Sequence, residues 1–594
     1  MSDIPARLSA LRASMREEGV QAYIIPTNDY HNSEFLCAYF QARAYFSGFD
    51  GSAGTLVVLE DGAFLWTDGR YFLQAAQQLE GSGITLMRMG ERGVPTIEDF
   101  LKSRLSEGAT VALDGSVNMA RTVKNMTAAL ETDGITLRAE LDLVTPNWPE
   151  RPPLPEAKAW LLDEQYAGES AQSKLAKLRA AMDEQGAELW VIGDCEDAAW
   201  LLNLRGGDFP YTPVPLCFCF VEREGVCLCM DAEKRSPELT AALEALGVSF
   251  RPYEGALGYA CRCAEGATVM LSAAKLNYAL WSTLNERAII IEAPDTITRG
   301  RMLKNAVQLE HLRQSQRKEG LAVTRFMRWI KENAGKPGVT ELSAKAKLDA
   351  LIQGGEGCLG NSFSTICAYG AHAAIVHYEP DAASDCPIEA KGLLLVDSGG
   401  QYYEGTTDET RTYALGTLTE EERRHFTLVL KGMLSLMAAK FPAGTNGEQL
   451  DVFARAPLWR EGLDFRHGTG HGIGYLLGVH EDPVRIRSRQ ARLPFEPGMT
   501  VSDEPGLYIE NSYGIRLENM LLCRAAEGES EYGAFYGFEC MTLIPIDLDA
   551  LDASLLSPFE LETLNAYHKR VREALSPLMD GDERTWLEYA AREL

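Results

Sequence analysis

The stretch Leu393–Thr412, LLLVDSGGQYYEGTTDETRT, reads as two strands and a turn. Four apolar residues, Leu393 to Val396, end on Asp397. After the glycines and tyrosines the pattern alternates, so that Asp408, Thr410 and Thr412 share one face. A hairpin centred on Tyr402 and Tyr403 sets Asp397 opposite Asp408. Two carboxylates facing each other on a buried sheet repel, and their uncompensated burial costs several kcal/mol. Such a pair calls for a counter-charge, and a divalent cation is the natural one.

A second hairpin repeats the theme. In TVSDEPGLYIENSYGIRLENMLL, Thr500 to Leu522, a strand runs into Glu504 and the chain reverses at ENSYG. Arg516, Glu518 and Met520 then share a face of the returning strand, so Glu504 and Glu518 form another facing pair. Between the hairpins lies HGTGHGIGYLLGVHEDP, His467 to Pro483, which holds three of the chain's nine histidines. Asp397, Asp408, His471, Glu504 and Glu518 together offer four carboxylates and one imidazole. Two divalent ions balance four carboxylates, and an oxygen-rich donor set with one histidine suits Mn²⁺, Co²⁺ or Zn²⁺. Two such ions ~3.5–4 Å apart share a water and lower its pKa. The glycines beside His471 are expected to let the backbone pass close to the ions.

Outside this region the chain divides. Five prolines in PNWPERPPLP, residues 146–155, mark an extended linker, and a second break lies near APDTITRGR, residues 293–301. The expected domains are 1–150, 156–298 and 299–594. The first two open alike: LSALRASMREEGVQAYII from Leu8 and LAKLRAAMDEQGAELWVI from Leu175. In each, a helix with apolar residues at helical spacing stops at a glycine and gives way to a short strand. One α/β unit is used twice. The third segment opens with helices over about 304–333 and from Thr340, the latter residue serving as N-cap.

Composition is ordinary for a globular protein, with 46% apolar and 24% charged residues. A net charge of −28 argues against nucleic acid or an anionic membrane as partner. There is no apolar run of ~18 residues, the first residues lack the apolar stretch expected of a secretory signal, and thirteen cysteines in a long chain do not read as a disulfide framework. A cytoplasmic location is expected. Cys217, Cys219, Cys227 and Cys229 in PLCFCFVEREGVCLCMD admit a four-thiolate zinc site. A hairpin turning at EREG, with cysteine as a small apolar residue, is the stronger reading.

These residues resemble the pita-bread metallopeptidases, in particular the aminopeptidase P family in its large three-domain form. The resemblance spans essentially the whole chain. NDYHNSEF, SGFDGSAGT and WTDGRYFLQAA carry it in the first domain, and AWLLNLRG in the second. In the third it rests on AIVHYEP, DSGGQYYEGTTDETRT, HGTGHGIG, VHEDP, SDEPG and GIRLEN. It implies a mixed α/β (α+β) chain, with two creatinase-type N-terminal α/β domains before a C-terminal pita-bread catalytic domain. It also implies hydrolysis of the bond before a proline in second position, with manganese as the usual metal. Asp408 and Glu518 would bridge both ions, Asp397 complete one, and His471 with Glu504 the other. Glu504 would shuttle protons. His377 and His480 would bond the substrate carbonyl, and His467 would hold the proline side. Tyr508 and Arg516 match further active-site positions, and Arg516 is placed to hold Glu518 or neighbouring groups. A homodimer is expected, aided by the amphipathic C-terminal SPFELETLNAYHKRVREAL. The competing readings are a prolidase, which cleaves dipeptides, and a non-catalytic interaction module of the same fold.

Overall fold

The computed structural model describes residues 4–294, 296–528 and 530–594. The first three residues of the expected first domain, and Asp295 in the expected second break, lie outside the described residues. The chain forms two compact units, Met1–Glu164 with Glu169–Ile297, and Gln165–Gly168 with Thr298–Leu594.

In the first unit the repeat is physical. Helices Ile4–Glu17 and Ala171–Gln185 bury Leu8, Leu11 and Met15, and Leu175, Leu178 and Met182, respectively. Each is followed by a glycine with positive φ, Gly19 at +69° and Gly186 at +66°, a conformation glycine adopts without a Cβ clash. Strands Ala22–Pro26 and Leu189–Ile192 follow, and each lies inside a six-stranded sheet. The two sheets have the same order and polarity. The repeat's own strand is flanked on one side by an antiparallel pair and a parallel edge, and on the other by two parallel strands. His31 of NDYHNSEF joins the halves: it is buried, with its ring nitrogens 2.6 Å from Gly193 O and 2.6 Å from the Tyr253 hydroxyl. From 151 to 159 the chain has no helix or strand, as the prolines dictate.

The cysteine hairpin consists of strands Phe218–Glu222 and Val226–Cys229. Cys219 pairs with Leu228, whereas Phe218 pairs with Cys229 and Phe220 with Cys227. Cys217 and Cys219 therefore point to one side of the sheet, and Cys227 and Cys229 to the other. Four thiolates cannot converge on one ion across a sheet, so the zinc alternative falls and the small apolar reading stands.

In the second unit, helix Ala306–Asn333 starts at an Asn305–Gln308 capping box, and helix Glu341–Gln353 is capped by Thr340. The functional strands are antiparallel. Leu393–Ser398 lies between Ile366–Tyr369 and Glu409–Ala414. Thr500–Asp503 lies between Gly470–Gly472 and Asn519–Ala525 in a six-stranded sheet. Helix Glu420–Met437 and the C-terminal helix Pro558–Leu575 contribute Phe426, Val429, Met433, Leu564, Tyr567 and Val571 to one core. The apolar side of the C-terminal helix is thus covered within its own chain.

One register differs from expectation. Asp397 pairs with Thr410, not Asp408, and the turn is centred between Tyr403 and Glu404. The displacement is two residues, and an even shift preserves the face a side chain occupies. The second hairpin has the expected register: Asp503 pairs with Asn519 and Gly506 with Arg516, which sets Glu504 across from Glu518.

A buried Lys234–Asp208 ion pair lies in the first unit, both side chains shielded from water. Lys234→Met would leave that carboxylate buried and unpaired, and a loss of about 3–5 kcal/mol is expected. Urea unfolding of the variant against the parent checks this; a change under about 1 kcal/mol would contradict the pairing energetics.

Candidate metal centre

The two hairpins and the glycine-rich strand bring the acids together because each strand end delivers one side chain to the same place. Asp408, His471 and Glu518 offer ligand atoms all within 4.8 Å of one another. His471 Nε2 lies 3.3 Å from Asp408 Oδ2 and 3.6 Å from Glu504 Oε1. Its other nitrogen, Nδ1, is 3.0 Å from Gly472 O, so that contact orients the ring and leaves Nε2 facing the carboxylates.

The glycines around His471 allow close approach between strands. A Cβ on Gly470 would stand 2.0 Å from Ser502 O, and one on Gly472 2.3 Å from Glu481 O. They let a three-residue strand squeeze between its neighbours' carbonyls; the close approach is to backbone. The strand is further fixed by the His471 N–H donating to Ser502 Oγ at 3.0 Å.

Arg516 is buried and bonds Asp397, not Glu518, with Nη2 2.6 Å and Nε 3.2 Å from Oδ2. The reason is lateral: the Arg516 N–H donates to Thr412 Oγ1, so its side chain extends over the strand that carries Asp397. Glu518 is held instead by Thr410, whose hydroxyl donates to Oε2 at 2.7 Å. Arg516 also donates through Nη1 to the Tyr508 hydroxyl at 2.7 Å, and that hydroxyl lies 2.8 Å from His467 Nε2. Having accepted from Arg516, the phenol donates to His467, whose Nδ1 then donates to Gly468 O at 2.7 Å. Asp397, Arg516, Tyr508 and His467 thus form one continuous chain.

His480 packs edge-on against His471, ring centroids 4.1 Å apart. His377 directly follows Val376, whose carbonyl accepts from Arg516 Nη1 at 3.3 Å. One brace had no sequence signal. Asp451 accepts from Arg455 and from Thr469 Oγ1, while Arg455 Nη2 donates to His467 O. Asp451 and Arg455 look like any i,i+4 surface pair on a helix, and only the fold turns them inward.

The electrostatics point to a missing positive charge. Burial raises the carboxyl of Asp397, with Arg516 opposing and Asp408 reinforcing. Burial raises Glu504 too, with His471 and Arg516 opposing. Glu518 is raised well above the ordinary range, first by burial and then by Asp408, Asp397 and Glu504. One guanidinium faces four carboxylates, and Asp397 Oδ1 is buried with no hydrogen-bond partner. An oxygen-rich, single-histidine donor set with an orphaned carboxylate oxygen fits divalent cations.

Comparison with known proteins agrees with this chemistry. Residues 310–525 match the model of metallopeptidase family M24, and 534–594 match the C-terminal region of that family. Residues 7–139 and 150–308 match creatinase/prolidase N-terminal domains. The chain is 38% identical to aminopeptidase P2 of Arabidopsis thaliana, over 98% of this chain and 88% of that one. It is also 38% identical to a probable Xaa-Pro aminopeptidase P of Laccaria bicolor, over 99% and 92%. A crystal structure of X-prolyl aminopeptidase from Caenorhabditis elegans, described as a cytosolic enzyme with a di-nuclear active site, superposes with TM-score 0.95 at 32% identity over 100% of both chains. An Xaa-Pro dipeptidase from Bacillus anthracis shares the fold over 64% of this chain at 24% identity and TM-score 0.52. With two creatinase-type sheets before a catalytic unit that gathers acids around one histidine, this chain belongs to the aminopeptidase P family of M24 metallopeptidases.

Proposed function

We propose that the protein is an Xaa-Pro aminopeptidase that removes the first residue of peptides with proline second. The convergence of Asp408, His471 and Glu518, with Asp397 and Glu504 beside them, carries the reading. Full-length similarity to relatives named for that activity supports it. A dinuclear centre would be held by Asp397, Asp408, His471, Glu504 and Glu518, with manganese as the metal and cobalt or zinc as substitutes. When bound, such a pair supplies Lewis acidity and a water that ionises near neutrality.

The protein's own groups do the rest. Glu504, beside His471, takes a proton from the attacking water and delivers it to the prolyl nitrogen as the C–N bond breaks. That delivery matters because the scissile amide is tertiary and carries no proton of its own. His480 and His377 donate hydrogen bonds to the carbonyl oxygen, where negative charge grows. His467 is fixed by Tyr508 on one nitrogen and Gly468 on the other, and presents its ring to the proline side. The Arg516–Tyr508 contact keeps Asp397 and His467 in register with each other.

Further parts of the same reading are a division into domains 1–150, 156–298 and 299–594, a homodimer, and a cytoplasmic location. All thirteen cysteines are unpaired, and among the described residues no helix is long and apolar enough to cross a membrane. The C-terminal helix, covered within its own chain, does not support the dimer. Light scattering tests it, and a monomer at micromolar concentration would remove it.

Xaa-Pro-Xaa tripeptide should release its first residue, whereas cleavage of Xaa-Pro dipeptide alone would indicate a prolidase. Absence of both turnover and bound metal would indicate an interaction module. His471→Ala and Asp408→Ala should lose bound metal and at least about 10³-fold in kcat; full activity in either would contradict the ligand set. His480→Ala should keep its metal and lose about 10²-fold in kcat, and unchanged kcat would remove it from the site.

A further inference from the structure

Glu341, His372 and Cys386 form the other group of potential metal ligands among the described residues. None of them is used by the proposed chemistry. Glu341 opens helix Glu341–Gln353 and is fully buried. Its carboxylate accepts from the Tyr369 N–H at 2.6 Å and the Tyr378 hydroxyl at 2.8 Å. His372 Nδ1 lies 3.0 Å from each of its oxygens. Cys386 Sγ is 3.8 Å from the same ring nitrogen.

We propose that Glu341, His372 and Cys386 form a second cation site, selective for a borderline divalent ion of the zinc class. Carboxylate oxygen, imidazole nitrogen and thiolate sulfur are the donors zinc combines, and the thiolate disfavours manganese or magnesium. The separations of the imidazole nitrogen from the carboxylate and from the sulfur are near those of ligands around a tetrahedron. Bond lengths of about 2.0 Å to nitrogen and oxygen and about 2.3 Å to sulfur set N···O near ~3.3 Å and N···S near ~3.6 Å. The observed 3.0 and 3.8 Å reach those values with small side-chain adjustments.

The scaffold is rigid where it needs to be. Thr340 bridges Pro387, and the Glu341 N–H donates to Cys386 O, so the residues on either side of the ion are tied backbone to backbone. Tyr369 and Tyr378 supply outer hydrogen bonds to the carboxylate, the arrangement that orients a ligating group. The His372 side chain is about one-third exposed, which leaves a solvent side for entry and for a fourth, water ligand. His372 belongs to the short helical segment Gly370–Ala374 and lies four residues before Val376, which makes the backbone contact to Arg516. An ion here pins the segment that leads into His377.

The test uses the full chain with its main centre loaded with Mn²⁺, titrated with Co²⁺. Thiolate ligation gives a near-ultraviolet charge-transfer band, which a centre of carboxylates and imidazole cannot produce. The expected result is a band that saturates as Co²⁺ is added, is abolished in Cys386→Ser, and needs at least tenfold more Co²⁺ in His372→Ala. Zn²⁺ added to the loaded protein should bleach it. Absence of the band overturns the site, as does a band that survives Cys386→Ser. A band indifferent to His372→Ala, or one that Zn²⁺ cannot displace, also overturns it.

Discussion

Three buried carboxylates and a partly exposed fourth, which cannot all be charged without a cation among them, are the constraint on which the catalytic half depends. Asp397, Asp408, Glu504 and Glu518 arrive from two antiparallel hairpins, and Arg516 is the guanidinium set against them. Left alone, such a group would protonate or pull apart, since each uncompensated buried charge costs several kcal/mol. With cations, the repulsion becomes a binding site. The sheet pays for the site through its glycines and its internal braces, among them Thr410 on Glu518 and Ser502 on the His471 strand.

The Asp397–Arg516–Tyr508–His467 chain gives the centre its orientation. One carboxylate is engaged by a guanidinium, which fixes a phenol, which fixes an imidazole. The Asp451–Arg455 brace then holds the backbone of His467 from behind. Tyr508 and His467 are thereby locked by hydrogen bonds, the kind of preorganisation that catalysis requires.

Much of this was legible in the residues. The duplicated helix and strand of the first unit could be read because helix period and glycine stops are local signals. The facing of Glu504 and Glu518 could be read because a hairpin turn fixes register over a short span. The first hairpin was displaced by two residues because Tyr402 to Gly405 offers several turn centres, and the even shift left every side chain on its expected face. The glycines beside His471 were legible as close-approach residues, whereas the backbone carbonyls of Ser502 and Glu481 that they approach could not be read, because the sheet brings them there. Asp451, Arg455 and the Glu341–His372–Cys386 group could not be read, since their meaning comes from segments far apart in the chain.

Anomalous diffraction at the manganese edge, from crystals grown with excess Mn²⁺, tests the central claim most directly. The account predicts two peaks roughly 3.5–4 Å apart, enclosed by Asp397, Asp408, His471, Glu504 and Glu518. No peak there, with those side chains turned away from one another, would contradict it.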